Sequence, residues 1–277
     1  MEFFTTAAGI TVHVWDTSDE SKQPVGEGRQ TLVLLHGYLE TMYIFNELID
    51  ALKDTYRIIT LDLPGHGLTD SAPANAKGVT VNTLEFDVPV ICDVMDKCGV
   101  EKAVLAGHSM GGYIALECLK DRPERFTKAV ILNSHPYPDL PEKALDRERE
   151  IKVISAEKLE LLAGSSIPKM YFEDNLKRCD QKVRETIELC QMHDPQGIIA
   201  SIRGMSSRPN LESVMKQVPV PILLIYGDHD NFLPLERVRI LQSEFPQVQF
   251  CLIPGTGHNS FIEDTVKVSE AIMQFVA

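Results

Sequence analysis

Cysteine is scarce in this chain. Its six cysteines, at positions 92, 98, 118, 179, 190 and 251 of 277 residues, include no CxxC pair. That spacing excludes a disulfide framework, a thioredoxin-like redox motif and a cysteine-rich zinc site. Cys118 and Cys251 sit inside apolar runs, where cysteine acts as a small buried hydrophobe. Positive charge is also short, with 27 Lys and Arg against 40 Asp and Glu for a net charge of −13. Such a field repels a phosphate backbone, so no nucleic-acid partner is expected. No run of about 18 uncharged apolar residues is present to cross a membrane. The segment from Met1 to Ile10 has neither the basic nor the apolar region of a secretory signal. The expected compartment is the cytoplasm, with no membrane partner. Apolar material is not lacking: 44% of residues are hydrophobic and mean hydropathy is −0.08. That excludes a disordered chain and allows a large core.

Apolar runs of strand length recur at 11–15, 31–35, 56–61, 103–106, 128–132, 221–226 and 248–253. The first alternates polar and apolar residues, as a half-buried strand does. The later ones are nearly continuous, as in parallel strands covered on both faces. Helical patterns at 43–53, 81–97, 111–120, 235–244 and 260–275 fall between or after them, the last with Asn259 or Ser260 as its expected N-cap. This alternation predicts an α/β fold with a mostly parallel central sheet flanked by helices. It stops at about 135–209, where Pro136, Pro138 and Pro141 open a stretch of helix-forming segments at 142–158, 168–179 and 181–192. Asp194-Pro195 then reads as an N-cap with proline at the first helical position. The expected organisation is a core of 1–134 and 210–277 carrying a helical cap, or lid, of 135–209.

The sharpest motif is Gly107-His-Ser-Met-Gly111, between a strand run and a helical run. By composition alone such a G-x-S-x-G arises in roughly one chain of this size in twenty, so its strand–turn–helix setting carries the weight. There the serine occupies a strained turn that lifts its hydroxyl above the sheet, and small residues two before and two after it permit the turn. A serine hydroxyl needs a base, and His258 stands in the glycine-bearing loop Pro254-Gly-Thr-Gly-His258 just before the final helix. The imidazole in turn needs a carboxylate, for which the loop Gly227-Asp-His-Asp-Asn-Phe-Leu-Pro234 offers Asp228 and Asp230. His229 between these aspartates has no second ligand cluster beside it, so no metal is expected. An oxyanion needs donors, and the backbone N–H groups of Met110, just after the serine, and of Tyr38, in Leu35-His-Gly-Tyr38, are placed to supply them.

In this order, His36-Gly-Tyr38, Asp62-Leu-Pro-Gly-His-Gly67, Gly107-His-Ser-Met-Gly111, Gly227–Pro234 and Gly257-His258, the chain resembles the α/β-hydrolase superfamily over nearly its whole length. Within it, the resemblance is to capped esterases and lactonases, similar to 3-oxoadipate enol-lactonases and pimeloyl-ester esterases. It implies the α/β-hydrolase fold with a helical cap inserted after the sixth core strand. It also implies a catalytic triad of Ser109, Asp230 and His258, because the family's G-x-x-D-x-x-x-P frame selects Asp230 over Asp228. The loop holding His66 is structural in the family, and His108 is expected to pack against the elbow. Serine at 109 argues against the haloalkane dehalogenases and epoxide hydrolases, which use aspartate there.

The expected function is a serine hydrolase cleaving carboxylic esters or lactones with small to medium hydrophobic acyl groups, without cofactor or metal. A carbon–carbon bond hydrolase of a diketone-like acid and a non-catalytic small-molecule receptor of the same fold are the alternatives. The expected partner is a small-molecule substrate, and the expected state a monomer or homodimer. Candidate substrate contacts are Phe45, Tyr137, Arg203, Phe232 and Leu233, with Arg208 beside Arg203 as a possible partner of a substrate carboxylate.

Overall fold

The computed structural model describes residues 1–18 and 29–277. Its framework is one eight-stranded sheet: β1 (Glu2–Ala7), β2 (Ile10–Asp16), β3 (Thr31–Leu35), β4 (Arg57–Leu61), β5 (Ala103–His108), β6 (Phe126–Leu132), β7 (Ile222–Gly227) and β8 (Gln249–Ile253). In space the order is β1-β2-β4-β3-β5-β6-β7-β8. β2 pairs antiparallel with β1 and β4, and the strands from β4 through β8 are parallel. Every residue of β3, β5 and β7 is buried, as the continuous apolar runs predict. The run at 248–253 is corrected: β8 is an edge strand with Gln249 and Leu252 exposed and Cys251 only half-buried, because no strand among the described residues covers its outer side. β1 was not expected. It is an edge strand with alternate residues exposed, and Ala8 and Gly9, at φ 46° and 81°, turn it back onto β2 as tight hairpins require. With β1 counted, the strand before the helical interruption is the sixth.

Two apolar cores lie on opposite faces of the sheet. One includes Val33, Leu105, Ile131 and Leu224, under helices α2 (Leu84–Lys97) and α3 (Met110–Asp121). The other includes Leu34, Val104, Leu132 and Ile225. It is covered by α1 (Asn46–Leu52) and by the last helices. Between β6 and β7 run α4 (Pro141–Ser155), α5 (Leu159–Ser166), α6 (Asp180–Gln191), α7 (Pro195–Ser206) and α8 (Glu212–Gln217). Much of the 168–179 stretch read as helix-forming is instead 3-10 turns at Ile167–Met170 and Glu173–Asn175. α7 starts as expected: Asp194 accepts hydrogen bonds from the Gln196 and Gly197 amides, and Pro195 is the first helical residue. α4 to α7 and the turns between them share an apolar cluster that includes Ile154, Leu162, Tyr171, Val183 and Ile198. Leu39, from the loop after β3, is also buried in it. Val214 and Met215 of α8 instead join the core under α2 and α3.

After α9 (Leu235–Glu244) and β8, the helix expected at 260–275 is two: α10 (Ser260–Glu263) and α11 (Thr265–Val276). Asn259 occupies the expected N-cap position, at the start of α10. It makes no side-chain cap, whereas Asp264 accepts from the Lys267 amide and starts α11. Among the described residues no helix is long and apolar enough to cross a membrane.

Candidate active site

Parallel strands deliver their carboxyl ends to one edge of a sheet, and ligand sites of open α/β folds gather there. The residue after β5 is Ser109, at φ 49° and ψ −111°. A serine at positive φ is strained by its Cβ, and the surroundings enforce it. A Cβ at Gly107 would lie 2.2 Å from the Gly111 carbonyl oxygen, and one at Gly111 would lie 2.2 Å from that of Leu35. The two glycines let the strand-to-helix turn close against β3. The Ser109 amide donates to the Leu132 carbonyl at 2.9 Å and its carbonyl accepts from Ser134 Oγ at 2.7 Å.

Asp230, after β7, is buried at 3% exposure. Its Oδ1 accepts from the Phe232 and Leu233 amides at 2.7 and 3.0 Å. Its Oδ2 accepts from Asn133 Nδ2 at 2.9 Å and meets His258 Nδ1 at 2.8 Å. Burial disfavours the ionised carboxylate, but the charge of His258 and these hydrogen bonds outweigh it, holding Asp230 below the usual carboxylate range. For His258 burial again opposes charge, and the charge and hydrogen bond of Asp230 carry the ring above the ordinary histidine value. With Nδ1 donating to the carboxylate, Nε2 is left to take a proton. The loops of Asp230 and His258 approach closely, since a Cβ at Gly227 would lie 2.1 Å from the Gly257 carbonyl oxygen.

Ser109 and His258 open onto one cavity of about 740 Å³, whose walls include Tyr137, Met170, Phe232 and Leu233. Among the described residues Ser109 Oγ makes no hydrogen bond to His258. Such bonds are often long before substrate binds. The amides of Tyr38 and Met110 have no acceptor among the described residues. The second is the first amide of α3, where the helix dipole favours negative charge.

The remaining candidates separate. Tyr137, Phe232 and Leu233 line the cavity. Phe45 does not: it is fully buried in the core against Phe261, with ring centroids 5.2 Å apart. Its place in the apolar pattern of the first helix was a core signal. Arg203 is also away from the cavity walls and directs Nη1 toward the Thr80 carbonyl at 3.4 Å. Arg208 lines the cavity, stacked 4.1 Å from the Tyr113 ring centre, but its Nη1 bonds Asp139 at 2.6 Å. Asp139 also pairs with Arg147. Asp228 closes a turn, accepting from the Gly255 amide at 2.7 Å beside His229. Among the described residues no group of three or more His, Cys, Asp or Glu is placed to hold a metal ion.

Two residues escaped sequence reasoning. Asn133, at φ 47° after β6, orients Asp230. The buried Glu40 bonds the Gly37 amide at 2.6 Å and His108 at 3.0 Å. A lone glutamate two residues after the His36-Gly-Tyr38 motif carries no pattern that marks it. A buried polar partner shows only once the loops are folded together.

The chain matches the family model described as the alpha/beta hydrolase fold over residues 30–153 and 171–265. It is 29% identical over 270 residues to an uncharacterized hydrolase, YugF, of Bacillus subtilis (strain 168), covering 90% of each chain. It is 22% identical over 258 residues to a pimeloyl-[acyl-carrier protein] methyl ester esterase of Yersinia enterocolitica, covering 90% of this chain and 94% of that one. Among solved structures, a thermophilic esterase from Thermogutta terrifontis superposes with a TM-score of 0.87 at 24% identity over 100% of this chain and 98% of that one. The enol-lactonase of Burkholderia xenovorans LB400 gives a TM-score of 0.86 at 18% identity, covering 99% of both chains. At those identities the two structures speak for the fold alone.

Proposed function

The chain belongs to the alpha/beta hydrolase fold family and is an enzyme of that family, and from this premise we propose that it is a serine hydrolase of carboxylic esters or lactones. One observation carries the reading. A serine held at φ 49° on a strand-to-helix turn shares a cavity with a buried histidine whose Nδ1 is 2.8 Å from a buried aspartate. Ser109 Oγ attacks the carbonyl carbon while His258 Nε2 takes its proton, and Asp230 holds the ring and balances the imidazolium. The oxyanion is received by the Tyr38 and Met110 amides. His258 returns the proton to the leaving alcohol. It then activates water, whose attack releases the acid and restores Ser109.

The mixed wall of Tyr137, Met170, Phe232 and Leu233 suits small to medium apolar acyl groups. An acid-cleaving carbon–carbon hydrolase would call on a cationic anchor. Arg203 is outside the cavity, and Arg208 and Arg147 are engaged by Asp139. Lys143 and Arg237 also line the cavity, so a carbon–carbon hydrolase of an acid stays the second reading, tested by loss of activity on a keto-acid in Lys143→Ala or Arg237→Ala.

Hydrolysis of p-nitrophenyl acetate, butyrate and octanoate by the wild type and Ser109→Ala tests the proposal, with fluorophosphonate labelling alongside. Turnover lost in Ser109→Ala, with Ser109 labelled in the wild type, is the expected result. A wild type that neither turns over nor labels returns the chain to the receptor alternative.

A further inference from the structure

Beside the elbow, at the wall of the same cavity, lies a buried carboxylate that the proposed chemistry does not use. Glu40 is 1% exposed and His108 fully buried. A single oxygen, Glu40 Oε2, meets both the Gly37 amide at 2.6 Å and His108 Nδ1 at 3.0 Å. The other ring nitrogen, His108 Nε2, lies 3.2 Å from the backbone carbonyl oxygen of His258. That carbonyl can only accept, so Nε2 carries a hydrogen. Oε2 already accepts from Gly37, and an ionised carboxylate accepts a second bond from Nδ1–H on its other lone pair. Both nitrogens then donate.

We propose that Glu40 is a positioning residue that, with His108 held as a buried imidazolium, ties the oxyanion loop, the nucleophile elbow and the loop of the general base into one unit. The proposal rests on the serine-hydrolase reading for its effect on catalysis, though not for the state of the ring. Three otherwise separate segments meet at this pair: Gly37 beside the Tyr38 donor, His108 beside Ser109, and the backbone of His258. The groups facing His108 are Glu40, the His258 ring at 4.9 Å and the Phe261 ring at 4.9 Å, with His36 acting on it through space. Glu40 is therefore its carboxylate partner at contact distance. Burial works against the charge of Glu40, but the charge and hydrogen bond of His108 and the Gly37 amide outweigh it, so the carboxyl sits below its ordinary range. The pair also accounts for Gly37, where a Cβ would lie 2.8 Å from both Glu40 Oε2 and His108 Nδ1.

A neutral amide cannot replace this carboxylate. In Glu40→Gln the oxygen still accepts from Gly37, but the ring loses its countercharge and one proton, so one of its two bonds breaks. Two measurements test the idea. In the wild type at neutral pH, a nitrogen-correlated NMR spectrum of the histidine rings, assigned by loss of signal in His108→Asn, should show both His108 ring nitrogens protonated. In Glu40→Gln, kcat on p-nitrophenyl butyrate should fall about tenfold or more with KM unchanged, since loosened donors and base act in the transition state. Fluorophosphonate should still label Ser109 fully, but more slowly. One unprotonated His108 nitrogen in the wild type, or a Glu40→Gln kcat within about twofold of it, overturns the proposal. The wild-type spectrum decides the matter even where the variant does not fold. A wild type that fails to label at Ser109 overturns the hydrolase reading instead, leaving the spectrum to judge the pair.

Discussion

Two groups of buried histidines flank the loop after β3, and they have opposite electrostatics. On one side His108 and His258, with ring centroids 4.9 Å apart, each face a buried carboxylate, Glu40 and Asp230. On the other, His36, His66 and His193 stack edge to face at 5.2 and 5.3 Å. None of these three has a carboxylate ion pair among the described residues. Burial alone then dominates. It pushes His66 well below the ordinary histidine range, with His36 and His193 adding to the effect, and brings His193 down to about 4. The His36 ring donates Nδ1–H to the Gly37 carbonyl at 2.8 Å and accepts the Leu63 amide on Nε2 at 2.9 Å, so it is pinned neutral. Both groups are buried, so burial does not make a histidine into a base. A carboxylate aimed at one nitrogen, leaving the other open to a cavity, does.

Exchanging members of the two groups is the strongest test of that contrast. His258→Ala should lower kcat by about 10⁴-fold or more on a p-nitrophenyl ester, as loss of a triad base does, while His66→Ala stays within about threefold of the wild type. Comparable losses in both would erase the distinction. Removing only the carboxylate comes next: Asp230→Asn should lower kcat by roughly 10³–10⁴-fold with the protein still folded, through the wrong tautomer of His258.

Stability against pH sharpens the other half of the comparison. His193 has a folded value of about 4 against an ordinary 6.5, so below 6.5 the unfolded chain binds the extra proton and stability falls with pH. Across that 2.5-unit window, at about 1.36 kcal/mol per unit, the cost is roughly 3 kcal/mol. His193→Gln should therefore lose roughly 3 kcal/mol less than the wild type in urea unfolding between pH 7 and pH 4. Equal losses would place the pH sensitivity elsewhere.

The pH–rate profile tests the active pair. His258 lies above its ordinary value because of Asp230, so kcat/KM on a neutral ester should rise with a midpoint above about 6.5. A profile flat from about pH 5 to 8 would contradict this. The smallest effect is expected at Arg203, outside the cavity wall. Arg203→Ala should change kcat/KM by less than about twofold, because its half-buried contact with the Thr80 carbonyl is remote from the reacting groups.

Much of the catalytic constellation was legible in the chain because each piece has a local signature. Gly107 and Gly111 flank Ser109 because a Cβ at either would strike backbone. Asp230 lies within a turn whose own amides, at Phe232 and Leu233, bond its carboxylate. The apolar runs of β3, β5 and β7 announced strands covered on both faces. The cavity wall was less legible. Phe45 and Phe232 are both aromatics at helix or loop positions, yet one packs against Phe261 in the core and the other lines the cavity. Side-chain type does not encode which surface a residue meets when that surface comes from a distant segment.

Local chemistry in the sequence thus determined the fold class and the strained serine turn, and it offered Asp228, Asp230 and His258 after β7 and β8, among which the family resemblance pointed to Asp230. These depend on periodicity and on glycines, prolines and turn amides only a few residues away. Tertiary structure decided which buried histidine gains a carboxylate. Glu40 and His108 are 68 positions apart, and Asp230 and His258 28 apart. Only the convergence of parallel strand ends on one edge brings such partners within hydrogen-bonding distance. Charge on a buried ring depends on those last few ångströms.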